Sequence, residues 1–143
     1  MASTASLRTG GLRVDLINHD DQVREEWRPG VSTRMRISEQ TGATALTIFE
    51  QWCQPGVGAP THWHPVEEVL TVLSGVAEIW IEGQQYQASS GQSALIPAKL
   101  RHGFRNSGDG ELHMLAVLAA PVFEAHFDDH QEAVRRWMVR PEK

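Results

Sequence analysis

The chain has 143 residues, 41% of them hydrophobic, and a net charge of −5. This length is typical of a single domain that buries its own core, and the negative charge argues against a nucleic-acid-binding protein, which needs a basic face. No apolar run approaches the ~20 residues of a membrane span. Residues 1–11 are polar, so we expect no signal peptide and a cytoplasmic protein. The single cysteine, Cys53, is expected to be a buried small residue rather than a reactive thiol.

Short apolar strands separated by turn residues account for most of the chain. Residues 1–11 are rich in Ser, Thr and Gly, and we expect them to be flexible. A strand at 12–18 and a charged helical turn near 20–28 come next. The remaining strands are predicted at 32–38, 44–52, 67–73, 76–82, 85–88, 93–97, 102–105 and 111–119. This pattern, without crossover helices, indicates an all-β barrel or sandwich and excludes a parallel α/β fold.

The segment 128–138 has a different pattern. Asp128 and Asp129 can cap a helix, and two arginines near the other end suit a helix C-terminus. Apolar and aromatic residues in the segment fall on one helical face. The sequence therefore predicts a short C-terminal helix packed on the outside of a single domain that spans residues 1–143.

Three candidate metal ligands lie within seven residues: His62, His64 and Glu68. Side chains of a strand alternate between its two faces, so these even-numbered positions share a face if the segment is extended. Imidazole and carboxylate groups together suit Fe, Mn, Ni, Zn or Cu. His102 lies on a later segment, which an antiparallel barrel can place opposite the first three.

The spacing of these residues forms two longer patterns. In the first, Gly56, His62, His64, Glu68 and Gly75 follow one another, and in the second come Gly91, Pro97, His102 and Asn106. Both spacings resemble the two sequence motifs of the cupin family. The resemblance implies a double-stranded β-helix, or jelly-roll, barrel in which one divalent metal ion (Fe, Mn, Ni or Zn) is held by four side chains: His62, His64, Glu68 and His102.

One position departs from the second motif, because Lys99 stands where the family has a glycine. Lys99 then either holds a strained left-handed conformation, at a cost of about 1–2 kcal/mol, or lies in a rebuilt turn with ordinary dihedral angles. Its ammonium group is also a candidate for attracting an anionic substrate, although a solvated lysine on a turn is the simpler interpretation.

Strand alternation places Leu70, Val72 and Phe104 on the inward face beside the ligands, so we expect a largely apolar substrate pocket. Such a pocket suits a small aromatic, ketone or enol substrate. The first-choice function is a metal-dependent enzyme of the dioxygenase type. An isomerase, cyclase or decarboxylase is the alternative, as is a non-catalytic metal-dependent binding or sensor protein. Gln51 and Arg36 are candidates for reaching the pocket.

Other histidines and tryptophans have weaker functional signals. His126 and His130 are four residues apart, but a surface or packing pair is the favoured interpretation because no third ligand is evident. Trp63, Val69 and Trp80 have the parity of outward-facing residues. Large apolar residues at a surface usually mark an interface, so we expect a homodimer, as in the small barrels that the chain resembles.

Overall fold

Two antiparallel sheets face each other and enclose the core. The computed structural model describes residues 3–9 and 12–139. Short 3-10 turns at His19–Asp21 and Glu39–Thr41 are the helical elements of the described residues. The strands of the same residues are β1 Ser3–Thr9, β2 Leu12–Asn18, β3 Arg24–Arg28, β4 Val31–Ile37, β5 Thr47–Cys53, β6 Gly58–Trp63, β7 Glu68–Ser74, β8 Val76–Ile81, β9 Gln84–Ser89, β10 Ser93–Ile96, β11 His102–Asn106, β12 Leu112–Leu118, β13 Phe123–Phe127 and β14 Val134–Arg136.

The order of strands shows a jelly roll. The first sheet has the order β10-β7-β12-β5-β4-β3, and the second has the order β14-β13-β6-β11-β8-β9. From β5 to β13 the chain changes sheet at every step except the β8–β9 hairpin. A chain that alternates between two antiparallel sheets in this way is a double-stranded β-helix. The predicted all-β jelly-roll barrel is therefore confirmed.

The core lies between the sheets and follows the two-residue period of the strands. On β12, every second residue from Leu112 to Leu118 is buried, while the intervening side chains are partly exposed. Leu70 and Val72 on β7 are buried in the same way. Cys53 is fully buried, and this burial raises the pKa of its thiol to about 12. The thiol is thus an inert part of the core, as predicted.

The predicted C-terminal helix at 128–138 is wrong. A turn follows β13, and β14 returns antiparallel to it, with Phe123 opposite Arg136. Trp137 then adopts a positive φ of 68° and packs against Trp27, at a distance of 5.5 Å between ring centroids. Met138, which a helix would place on the same face, is exposed. Burial of one tryptophan in the aromatic core outweighs the helical spacing of the segment.

The N-terminal region also differs from the sequence-based expectation. Residues 1–11 were expected to be flexible, but Ser3–Thr9 forms β1, which pairs antiparallel with β2. Within the described residues, these two strands form a sheet of their own. The charged stretch 20–28 contains a 3-10 turn at its start and then strand β3. A search of the described residues for a helix long and apolar enough to cross a membrane finds none.

Candidate metal centre

Four side chains from both sheets meet in the barrel interior. The ligand-type atoms of His62, His64, Glu68 and His102 all lie within 4.8 Å of one another. Their side chains are between 1% and 5% exposed. Burying polar groups is costly unless they are paired or bind an ion, so their convergence needs a physical explanation.

The fold brings these residues together by a crossing between sheets, not by one extended segment. His62 lies on β6 in the second sheet, and Glu68 is the first residue of β7 in the first sheet. His64 lies in the connection between them. The sequence argument placed all three on one face of a single strand. The shared orientation is correct, but it arises because the chain crosses the barrel between Trp63 and Glu68.

His102 approaches from a neighbouring strand of the second sheet. It begins β11 and pairs in register with His62 on β6. The next residue, Gly103, has no room for a side chain, because a Cβ there would lie 2.7 Å from the carbonyl oxygen of Ala59 and would also clash with the ring of Trp80. Glycine at this position therefore allows β11 to pack closely between its neighbours and to hold His102 opposite His62.

Backbone carbonyl groups set the orientation of all three imidazoles. The Nδ1 atoms of His62 and His64 each lie 2.7 Å from an oxygen, of Pro60 and Glu124 respectively. The Nδ1 of His102 lies 2.9 Å from the oxygen of Leu100. A carbonyl accepts hydrogen bonds only, so each Nδ1 carries the proton. Each Nε2 then faces the interior of the cluster, where it carries a proton beside the Glu68 carboxylate or, in the neutral imidazole, offers its lone pair to a metal ion.

The Glu68 carboxylate faces these lone pairs. Its Oε1 lies 2.9 Å from Nε2 of His102 and 3.4 Å from Nε2 of His64. The Nε2 of His64 is buried and makes no hydrogen bond to the described residues. A carboxylate and imidazole lone pairs repel one another unless a proton or a metal ion lies between them. Three nitrogen donors and one carboxylate therefore fit a divalent transition metal or zinc.

Ionisation within the cluster supports this fit. Burial, with His102 and His64 nearby, lowers the pKa of His62 to about 3. Burial alone would raise the pKa of Glu68, but the adjacent His64 and His102 outweigh it and hold that pKa well below its usual range. Burial opposes the charged form of His64, yet the Glu68 carboxylate raises the pKa of His64. The carboxylate is thus ionised and retains a positive charge beside it, which is the role that a bound metal would take over.

A narrow apolar cavity adjoins the cluster. Its volume of about 20 Å³ is the room needed for one water molecule. Leu70 and Phe104 line it, as does Gln51, whose Nε2 donates to Oγ1 of Thr33 at 3.0 Å. Val72 is fully buried in the core and is not part of this lining. Arg36 lies on the outer face of the first sheet, where its Nε donates to Glu50 at 2.7 Å.

Several cavity residues were not singled out from the sequence, and two of them come from segments where no strand was predicted. Arg28 and Phe127 both line the cavity, and the Phe127 ring lies 4.9 Å from the ring of His62. Phe127 pairs with His62 in register through β13, a strand that the predicted pattern of elements lacked. Arg28 lies at the end of β3, where the sequence predicted a helical turn. The stretch Arg24–Arg28 has one apolar residue, Trp27, among four charged ones, so no alternating pattern was available to indicate that strand.

Lys99 lies in the connection between β10 and β11, beside the metal-binding cluster. Its φ is 72°, so of the two alternatives for this position the left-handed conformation is the one that the structure has. Its backbone N–H donates to the carbonyl oxygen of His64 at 2.8 Å. The Lys99 side chain is exposed and does not line the metal cavity. The left-handed turn thus supports His64 through the backbone.

Three of the four remaining histidines contact carboxylates outside the cluster. His126 stacks on Trp63 at 3.9 Å between ring centroids and contacts Glu124 at 2.8 Å. His130 contacts Asp129 at 2.7 Å. His113 contacts Glu50 on the outer face of the first sheet at 2.8 Å. The two histidines at the barrel's end, His126 and His130, thus pair with different carboxylates, in agreement with the surface or packing interpretation.

A family model for the cupin domain matches residues 50–118, the segment that contains all four clustered side chains. The chain belongs to the cupin superfamily. The resemblance inferred from the two glycine-bounded motifs is thereby confirmed.

Sequence relatives of this cupin include two Streptomyces proteins. It is 31% identical over 106 residues to Polyketide synthase CurC of Streptomyces cyaneus, with 71% of this chain and 66% of that protein covered. It is 33% identical over 97 residues to Protein SchB of Streptomyces halstedii, with 66% of this chain and 70% of that protein covered. The cupin therefore spans only about two thirds of the length of these relatives.

Solved structures show the same barrel. The polyketide cyclase RemF from Streptomyces resistomycificus superposes with a TM-score of 0.66 and 22% identity, covering 80% of this chain and 85% of RemF. At this level of identity, the similarity shows the fold alone.

Proposed function

We propose that this cupin holds one divalent metal ion on His62, His64, Glu68 and His102 and acts as an enzyme on a small organic substrate. The observation that carries the proposal is the set of three Nε2 lone pairs that converge with an ionised carboxylate in a closed interior. All three imidazoles are fixed in the same tautomer by backbone carbonyl groups. Such preorganisation is typical of metal ligands and has no other evident use here.

The donor set limits the choice of ion. Nitrogen and carboxylate donors suit Fe, Mn, Ni or Zn. Four protein donors saturate a tetrahedral zinc ion but leave two positions on an octahedral ion. A catalytic role therefore favours an octahedral ion. When bound, such an ion supplies Lewis-acid polarisation of a substrate carbonyl or enol oxygen.

The protein's own residues supply binding and exclusion of water. Phe104 and Leu70 present apolar surface to the cavity, which suits a ring or a hydrocarbon segment. The Gln51 amide nitrogen is committed to Thr33, so its Oε1 remains as an acceptor for a substrate hydroxyl. Gln51 is buried, and its amide cannot ionise. We assign it to substrate orientation rather than to proton transfer.

A reaction on an enolisable carbonyl compound, such as a cyclisation, isomerisation or decarboxylation, is the favoured chemistry. The relationship to a protein named as a polyketide synthase supports this class. The sequence alone placed oxygen-dependent cleavage first, and this comparison reverses the order. Oxygen-dependent cleavage remains the second candidate, because an apolar cavity beside an ion with two open positions also suits dioxygen.

Turnover of enolisable aromatic ketones in sealed cuvettes tests the proposal. The metal-loaded protein is incubated with the ketone panel while an oxygen electrode and product chromatography run in parallel. Product formation without oxygen uptake is the expected result, and stoichiometric oxygen uptake would select the second candidate. Tight substrate binding without product from any member of the panel would contradict an enzyme and favour a binding protein. His62→Ala should lose turnover, and His19→Ala, which alters a histidine in the 3-10 turn His19–Asp21 away from the cluster, is the matched control.

A further inference from the structure

A second basin lies directly outside the metal cavity. It has a volume of about 200 Å³ and is lined by residues that include Pro60, Asp129, His130, Val134 and Arg136. Four side chains line both this basin and the metal cavity: Trp27, Arg28, Phe123 and Phe127. A wall one side chain thick therefore separates the two spaces. A molecule in the basin has only this wall between itself and the metal ligands.

Arg28 in this wall has unused hydrogen-bonding capacity. One of its terminal nitrogens donates to the carbonyl oxygen of Gly58 at 2.9 Å. The guanidinium group also lies 5.8 Å from the centroid of the Phe127 ring. A guanidinium has five N–H donors in a planar fork, the geometry that matches a carboxylate. Within the described part of the chain, no carboxylate lies within ion-pair distance of Arg28.

Two other donors come from residues that line the basin. The indole Nε1 of Trp27 and the Nε of Arg136 are buried and have no hydrogen-bond partner among the described residues. The Arg136 guanidinium lies 4.3 Å from the centroid of the Trp27 ring. Buried unpaired donors are uncommon in native structures and usually await a ligand or a water molecule.

The basin carries an excess of positive charge. Burial lowers the pKa of Arg28, and the nearby Arg136 acts in the same direction, against the opposing effects of Cys53 and Asp129. Asp129 is the acidic residue in the basin lining, but it is exposed and is paired with His130 at 2.7 Å. Two guanidinium groups thus face a space with one carboxylate, which interacts with Arg28 and also contacts His130. A bound anion would relieve this imbalance.

We propose that the substrate is a small organic acid whose carboxylate binds Arg28, with Arg136 and the Trp27 indole as additional donors. This inference rests on the proposed function, because the other end of the acid would approach the metal. Phe127 lies between Arg28 and His62, with its ring 5.8 Å and 4.9 Å from them. One aromatic ring therefore separates Arg28, which would bind the carboxylate, from the metal-binding residue His62. An aromatic acid that carries an oxygen atom opposite its carboxylate matches this separation.

The wall must move for such a molecule to enter. The inner cavity has room for about one water molecule, whereas an aromatic acid is several times larger. Phe127 belongs to β13, which continues into an exposed turn at Asp128–His130. Displacement of the Phe127 ring would join the cavity and the basin into one pocket. In that pocket, the substrate ring takes the place of the phenylalanine ring.

Calorimetric titration of the metal-loaded protein tests this proposal with two probes. These are 4-hydroxybenzoate and its neutral counterpart, 4-hydroxybenzamide. We expect the acid to bind at least tenfold more tightly than the amide to the unchanged protein. Arg28→Gln should weaken acid binding roughly tenfold to a hundredfold, the range for loss of a hydrogen bond to a charged group, and should leave amide binding unchanged. Arg28→Lys should retain part of the preference.

Controls separate this inference from the proposed function. Arg105→Gln removes an exposed arginine that pairs with Glu78 on the second sheet and should bind the acid normally. Metal content is measured in every sample. A protein that binds no metal contradicts the proposed function. If that metal-free protein still binds the acid in a way that depends on Arg28, the anion site is supported on its own. Equal affinity for acid and amide, no binding of either probe, or undiminished acid binding in a folded Arg28→Gln would overturn the anion site. Tighter binding of inorganic phosphate would replace the carboxylate with another anion and would also overturn the inference. If Arg28→Gln does not fold, two other measurements test the anion site. These are the affinity of Arg136→Gln for the acid and the difference in affinity between acid and amide in the unchanged protein.

Discussion

The Oε1 atom of Glu68 lies 2.9 Å from Nε2 of His102, although the two residues begin strands in opposite sheets. The Nδ1 proton of His102 is committed to the carbonyl oxygen of Leu100. The facing Nε2 therefore meets the carboxylate either through a proton of its own or, in the neutral imidazole, through a cation that both groups bind. This relationship joins the two sheets at one point and explains why a cation belongs there.

Removing one ligand should remove the metal. His62→Ala, His64→Ala and His102→Ala are each expected to abolish stoichiometric binding, because one of four donors is lost from a buried site. Glu68→Gln should weaken binding less, since an amide oxygen can still donate. Elemental analysis after dialysis measures the content, with His130→Ala as control. Full occupancy in His62→Ala would remove that residue from the ligand set, and undiminished affinity in Glu68→Gln would do the same for Glu68.

A buried carboxylate on the outer face of the first sheet should make stability depend on acid pH. Glu50 is 1% exposed and accepts from Arg34, Arg36 and His113. Burial alone would raise the pKa of Glu50, but Arg36, His113 and Arg34 outweigh it and lower the pKa from 4.5 to about 2. A depressed pKa contributes stability above pH 4.5, and this contribution is lost as the pH falls from 4.5 towards 2.

Urea unfolding of Glu50→Gln checks this account. At pH 7 the substitution should lower the free energy of unfolding by about 1–3 kcal/mol, because buried donors lose their charged acceptor. The difference between Glu50→Gln and the unchanged protein should shrink as the pH falls from 5 to 3. A difference that stays constant over this range would show that the Glu50 carboxylate does not titrate as the contacts require.

Relief of backbone strain at Lys99 should stabilise the fold. A φ of 72° costs a lysine about 1–2 kcal/mol, and a glycine loses part of that gain through its freedom in the unfolded chain. Lys99→Gly should therefore raise the free energy of unfolding by about 0.5–1 kcal/mol. Thermal unfolding measures the change, and Lys99→Ala, which removes the charge but keeps the strain, is the control. Equal stability of the glycine and alanine variants would contradict a strain effect.

A homodimer should form through the outer face of the first sheet. Trp63 and Trp80 lie on the second sheet and Val69 on the first, so the three residues predicted at an interface do not form one patch. Val69 instead pairs with Leu95, which is 62% exposed. Sedimentation at micromolar concentration should give about twice the chain mass of 15.9 kDa. Leu95→Glu should yield monomers. Tyr86→Glu, which alters an exposed residue of β9 in the second sheet, should remain dimeric. A monomer in the unchanged protein would refute the dimer.

The site was predictable because its signal is local in sequence. The spacing of His62, His64 and Glu68, with His102 in a second motif, identifies the cluster before any contact is known. The lining residues Leu70 and Phe104 follow from strand alternation. The lining depends on parity within a strand, whereas the cluster depends on the spacing of two motifs, because His62 and Glu68 lie in different sheets.

Contacts between distant segments were not predictable in the same way. Trp137 joins Trp27 across a separation of more than a hundred residues, and no local pattern shows that this contact replaces a helix. Arg28 reaches the metal cavity only because β3 forms the edge of the first sheet. Glu50 resembles an ordinary outward-facing charge in the sequence, and its burial depends on arginines from a neighbouring strand. Tertiary packing decides each of these positions.

The metal content of protein purified without added metal tests the central claim most directly. We expect about one divalent ion per chain by elemental analysis. After chelation and dialysis, titration with Co²⁺ should restore one equivalent and give the visible absorption of a nitrogen- and oxygen-coordinated ion, and His102→Ala should lose this absorption. Absence of metal as purified, together with no Co²⁺ spectrum in the unchanged protein, would contradict the assignment of His62, His64, Glu68 and His102 as a metal centre.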